Sequence, residues 1–180
     1  MEINSEIKAY FIGFIQTDGY LRRKCVACEI SKRDEEILHL FLLEFGGKIR
    51  NRSRKTNFSS MHHSSIWRIG SVSFVEELNQ LGIPLGSKSK KVIPIKMSQK
   101  MEPHYIRGLI DGDGSLGLTS QGFPFLGFTT MSTMMRNYYV EYLLKMGILC
   151  NPKRNKRDDI FNVCIYKENA QKVVENWLWP

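Results

Sequence analysis

Hydrophobic and polar positions along the chain fall into two rhythms that alternate and then start again. Near the N-terminus, Ile7, Phe11, Phe14 and Ile15 recur at helical spacing, and Gly19 reads as the stop. The β-prone run VACEIS (26–31) follows. A second helix is predicted from the apolar stripe Ile37, Leu38, Phe41, Leu42 and Phe45. KIRNRSR (48–54) and SIWRIG (65–70) read as a strand pair around the loop KTNFSSMHHS (55–64). A third helix is expected from about Ser73 to Leu81. The same order then returns. Pro103 suits a first helical turn and Gly114 a stop. The runs LGLTS, QGFPF and LGFTT (116–130) suit strands with Gly and Pro at the turn, and a last helix is expected from about Glu168 to Trp177. Between the copies, GIPLGSKSKKVIPIKMSQK is rich in Pro, Gly and Lys and reads as a linker.

The repeat shows in the residues as well. FIGFIQTDG (11–19) parallels IRGLIDGDG (106–114). ISKRDEEILHLFLLEFGG (30–47) parallels MSTMMRNYYVEYLLKMGI (131–148), with about six residues gained between phrase and helix in the second copy. These matches predict an α+β protein of two pseudo-symmetric αββαββα halves. Residues 1–85 form one half, 86–102 a basic linker and 103–180 the other half.

Gly13 and Gly108 stand mid-helix, where glycine costs about 1 kcal/mol relative to alanine. Two such glycines, each five residues before an aspartate, predict that the two first helices cross in close contact across a pseudo-twofold axis. Asp18 and Asp113 then meet at helix C-termini, where the helix dipole and their mutual repulsion both disfavour carboxylates. A shared Mg²⁺ would reconcile the pair. The plainer alternative is that each Asp only shapes a turn before Gly.

Composition narrows the partner. The 180 residues are 42% hydrophobic, enough for a core, and 26 Lys plus Arg against 18 Asp plus Glu give a net charge of +8. Such an excess suits a polyanion, nucleic acid above all, although a merely soluble basic surface has the same sign. No run is long and apolar enough for a membrane span, and MEINSEIKAY lacks the build of a secretion signal. An intracellular protein is expected, in a bacterial or phage cytoplasm or an organelle. Cys25 and Cys28 form a C-x-x-C pair without a second one. A zinc site completed by His62 and His63 is the weaker reading, and reduced thiols the better.

The doubled phrase resembles the signature of the LAGLIDADG homing endonucleases. Residues 11–19 and 106–114 match it position by position. Gln16 departs at the sixth place, where the second copy has Asp111, and the eighth is Asp in both. The resemblance implies two halves packed through their first helices, each with a curved antiparallel sheet that binds DNA. It further implies a monomer that cleaves both strands of a long, asymmetric double-stranded site with Mg²⁺, with Mn²⁺ or Ca²⁺ able to substitute for binding. An intron RNA maturase, with host intron RNA as partner, or a non-cleaving DNA-binding protein of the same fold is the alternative. Asp18 and Asp113 would be catalytic metal ligands, with Lys32 and Lys88 as basic supports of the hydrolytic water. Against that frame, Arg22, Arg23, Lys24, Arg50, Arg52, Arg54, Lys55, Lys90, Lys153, Arg154, Lys156 and Arg157 are candidate DNA contacts. Ser120, Gln121 and Asn57 are weaker polar ones. Arg50, Arg52 and Arg54 alternate and so share one strand face, which a plain solvent-facing strand would also show. Phe41, Tyr138, Tyr142 and Trp177 read as core.

Overall fold

The computed structural model describes residues 1–56 and 59–177. The first helix, α1 (Glu6–Thr17), starts at Ser5, whose hydroxyl accepts from the Lys8 backbone N–H at 3.3 Å. Its core is wider than the predicted stripe, because every residue from Ala9 to Gln16 is buried. A helix covered on all sides has neighbours on all sides. Its counterpart α4 (Glu102–Asp113) carries Pro103 in its first turn and is its principal packing partner.

The glycines that follow do not act as left-handed caps. Gly114 is extended (φ −106°, ψ −178°), and both Gly19 and Gly114 open a strand directly. Space is what requires glycine there: a Cβ on Gly19 would press into the Ile15 side chain, and one on Gly114 would overlap the Ile110 carbonyl oxygen.

Each half then completes the predicted grammar. In the first, β1 (Gly19–Arg22), β2 (Cys25–Ser31), α2 (Glu36–Phe45), β3 (Lys48–Thr56), β4 (Ser59–Ile69) and α3 (Val72–Gln80) form an antiparallel sheet in the order β1-β2-β4-β3 with its helices. In the second, β5 (Gly114–Leu118), β6 (Pro124–Thr130), α5 (Thr133–Lys145), β7 (Arg154–Asn155), β8 (Ile160–Tyr166) and α6 (Glu168–Glu175) give the same order, β5-β6-β8-β7. The extra residues of the second copy lie in the β5–β6 hairpin, where the Thr119 hydroxyl accepts from the Phe123 N–H at 3.1 Å and the Thr119 N–H donates to the Phe123 carbonyl at 2.8 Å.

Two expectations need correction. Residues 55–56 and 59–64 are strand rather than loop, because β3 runs to Thr56 and β4 starts at Ser59 and carries His62 and His63. Adjacent strand residues face opposite ways. His63 Nδ1 lies 2.8 Å from the Ser53 hydroxyl, on the face away from His62. Asn57 lies outside the described residues. The segment between the halves is free of helix, as predicted, but it is more than a tether, for Val92 and Ile95 are buried in the common core.

The first half packs Phe11 edge-on against Phe41 (ring centroids 4.9 Å apart) and Trp67 (5.6 Å). Trp67 donates its indole N–H to the Gly46 carbonyl at 2.9 Å. Phe41, Tyr142 and Trp177 are buried, in keeping with their reading as core. Among the described residues no helix is long and apolar enough to cross a membrane.

Candidate metal centre and nucleic-acid interface

The α1–α4 crossing is built on glycine. A Cβ on Gly13 would overlap the Tyr105 carbonyl oxygen, and one on Gly108 would overlap that of Tyr10. The two collisions are mirror images in the repeat. Further along, Gly112 leaves room for the Thr17 side chain. The helices touch backbone to backbone, and their C-terminal ends emerge together.

A second reciprocal pair locks the crossing. Tyr10 donates its hydroxyl to Asp111 Oδ2 at 2.8 Å, and Tyr105 donates its hydroxyl to Gln16 Oε1. Each tyrosine thus reaches the sixth position of the other copy's phrase. This explains why that position differs between copies. Asp111 is exposed and also pairs with Arg107 (3.6 Å). Gln16 is buried beneath the linker and donates Nε2 to the Ile93 carbonyl at 2.8 Å, while Tyr105 accepts from the Ile95 N–H at 3.1 Å. A carboxylate at residue 16 would set oxygen against the Ile93 carbonyl with no proton between them.

Asp18 and Asp113 end the two helices beside each other. Both are open along one edge, yet burial of the rest raises both carboxyls, Asp18 to about 6 with repulsion from Asp113 adding to it. Lys88, delivered by the linker, answers this charge. Its ammonium donates to the Ile15 carbonyl at 2.5 Å and to the Gly19 carbonyl, capping the α1 C-terminus. Burial pushes Lys88 down to about 8 against the pull of Asp113 and Asp18. Lys88 and Asp113 line one cleft with Thr17 and Ser89; Asp18 lines another, of about 560 Å³, with Glu29, Asp34, Arg54 and His62. Lys32 lines neither cleft. It sits in a single 3-10 turn, donating to the Glu35 carboxylate and to Asn51 Oδ1 (3.1 Å).

The sheet faces carry the remaining candidates. Strand registers set Arg50 beside Ile66 and Glu29, Arg52 beside Ser64 and Ser31, and Arg54 beside His62. Trp67, Cys28 and Ile49 occupy the alternate, core-facing rows. All three arginines are exposed on the outer face, and Arg22, Arg23 and Lys24 are exposed at the β1–β2 turn. Lys55 is exposed at the end of β3, and Ser120 and Gln121 at the tip of the β5–β6 hairpin. Lys153, Lys156 and Arg157 are exposed around the short β7. Lys90 and Arg154 share an acidic partner. Asp159 binds Lys90 Nζ at 2.7 Å and Arg154 Nη1 at 2.6 Å, and Arg154 stacks on Phe161 with Nη2 on the Met131 carbonyl and Thr133. Their basic character is visible in sequence; their shared acid, distant from Lys90 along the chain, is not. Cys25 and Cys28 are buried on opposite faces of β2, and among the described residues no three His, Cys, Asp or Glu cluster as metal ligands.

Residues 101–177 match the model of the family described as the LAGLIDADG-like domain. The second half of the chain thus carries a LAGLIDADG-like domain. Solved structures share the whole architecture. The homing endonuclease I-WcaI bound to its DNA recognition sequence superposes with TM-score 0.66 at 16% identity, over 100% of this chain and 85% of that one. A variant of I-DmoI in complex with its target DNA in the presence of 2 mM Mg gives TM-score 0.62 at 13% identity, over 97% of each chain. The N-terminal LAGLIDADG domain of DUF199/WhiA gives 0.64 at 13% identity, over 97% of this chain and 82% of that one. At such identities the likeness establishes the LAGLIDADG fold, not the activity. Comparison with curated protein sequences gives no match.

Proposed function

We propose that this protein is a homing endonuclease of the LAGLIDADG family that hydrolyses both strands of a long, asymmetric double-stranded DNA site with a divalent metal. The observation that carries this reading is the convergence of Asp18 and Asp113 at the end of the α1–α4 crossing, each raised by burial. The pair fits Mg²⁺: two hard oxygen donors at helix C-termini, with excess negative charge, and room beside them for phosphate oxygens. Mn²⁺ or Ca²⁺ would serve for binding. When bound, the ion supplies Lewis-acid chemistry, positive charge against the phosphodiester oxygens and a lowered pKa for an attacking water.

The chain's own residues supply the rest. Asp18 and Asp113 hold the ion when ionised, one from each half, so the pseudo-dyad presents equivalent chemistry to the two strands. Lys88, pinned to the α1 carbonyls, sets a fixed positive charge beside the acids and supports the charge that develops on the phosphate. The arginine row of β3 tracks the duplex, with phosphate contacts fixing register and base contacts reading sequence. One chain contains both halves, so a monomer suffices. A second reading, a binding protein of the same fold that does not cleave, takes support from the likeness to the WhiA domain.

The test is direct. Asp18→Asn and Asp113→Asn should each abolish cleavage of a selected DNA site in Mg²⁺ while leaving its binding within severalfold of wild type. A variant that still cuts at the wild-type rate would remove the shared-metal reading. A wild-type protein that binds without cutting would establish the second reading.

A further inference from the structure

We infer that Glu29 is a specificity-determining residue that selects cytosine in the half-site under the first sheet. The inference rests on the endonuclease reading and deepens it. Glu29 is the one acidic residue in β1, β2, β3 and β4 among the described residues, and it lies on the outer face in the row of Arg50 and Ile66. A carboxylate set into a cationic, phosphate-seeking face weakens binding to every DNA equally unless it finds a donor. In the major groove the donors are the exocyclic amino groups of cytosine and adenine, and Glu pairs with cytosine N4.

The surroundings hold the carboxylate ready for such a donor. Glu29 Oε1 accepts from the Ser64 hydroxyl at 2.6 Å, which fixes the side chain. Arg54 Nη2 stands 3.8 Å from Oε1 and Arg52 Nη1 3.7 Å from Oε2. Both separations exceed hydrogen-bond length, so the guanidinium forks stay available beside the carboxylate. An acceptor flanked by two arginine forks complements a C·G pair, with cytosine N4 donating to Glu29 and guanine O6 and N7 accepting from an arginine. Glu29, Arg54 and Ser64 also line the cleft that contains Asp18, which places this reading head beside the proposed cleavage centre. At the equivalent place in the second half stands Thr129, bonded to Asn162 at 2.9 Å, a neutral pair that cannot impose the same choice.

The experiment is selection of bound sites from a randomised duplex library with wild type, Glu29→Gln and Glu29→Asp, each confirmed folded by its thermal transition. The expected result for Glu29→Gln is loss of a cytosine preference at one position of one half-site, about tenfold or more, with the other positions unchanged. Glu29→Asp, which keeps the charge but shortens its reach, should weaken the same preference at the same position. A uniform gain in affinity with an unaltered base profile would overturn the inference and leave Glu29 as a counter-charge for Arg52 and Arg54. Enrichment of no sequence by wild type would overturn the endonuclease reading, and this inference with it.

Discussion

At the scale of single residues, the phrase that ends in Asp18 is stabilised by everything except Asp18. Burial and Asp113 raise its carboxyl to about 6, above the ordinary value near 3.8. The folded state therefore binds a proton that the unfolded state gives up between pH 4 and 6, and the metal-free protein loses stability as pH rises through that window. Asp18→Asn should accordingly melt at a higher temperature than wild type at pH 7.5 in EDTA, with the gap closing toward pH 4. Calorimetry at several pH values checks both signs, and added Mg²⁺ should raise the melting temperature of wild type but not of the variant. Gln16 shows the complementary case. Sequence comparison of the two phrases marks it as a departure from an acid; its reason, the Ile93 carbonyl above it, belongs to a linker far along the chain.

At the scale of elements, the α1–α4 crossing depends on two absent side chains. Gly13→Ala would gain about 1 kcal/mol of helix propensity but drive a methyl into the Tyr105 carbonyl, backbone that cannot rotate away. Overpacking of this kind costs on the order of 1–3 kcal/mol or more, so the substitution should destabilise the fold in urea denaturation, and Gly108→Ala should do the same by symmetry. Cleavage should fall further than stability alone explains, because separation of the helices also parts Asp18 from Asp113. The crossing was legible in sequence because both glycines stand at the same place in a doubled phrase. The length of β3 and β4 was not, since KTNFSSMHHS is polar and lacks the alternation that marks a half-buried strand; residues 51–55 of β3 are exposed, so no apolar row is needed there.

At the scale of the whole molecule, pseudo-symmetry in the backbone coexists with asymmetry in charge. β3 carries Lys48, Arg50, Arg52, Arg54 and Lys55, whereas β5, β6 and β8 contain no charged residue, and Lys153, Arg154, Lys156 and Arg157 lie at or beside the short β7. Affinity for DNA should thus fall steeply with salt, on the order of a thousandfold between 50 and 200 mM if six or more phosphates are neutralised. Hydroxyl-radical footprints should show deeper protection on the half-site beneath residues 1–85. Equal protection of both halves, or a flat salt response, would contradict this charge distribution.

The sequence by itself determined the two-copy plan, the crossing of the first helices, the partnership of Asp18 with Asp113 and the basic outer row of β3. Each is written in local periodicity or in a repeated phrase, and the physics that sets it acts within a few residues or is duplicated along the chain. Only the tertiary structure decided that Lys88 caps α1 beside the acids while Lys32 is held by Glu35, that Lys90 and Arg154 share Asp159, and that Gln16 anchors the linker. Those choices depend on which distant segments meet. Burial and hydrogen-bond satisfaction settle them in three dimensions, and no spacing along the chain records the outcome.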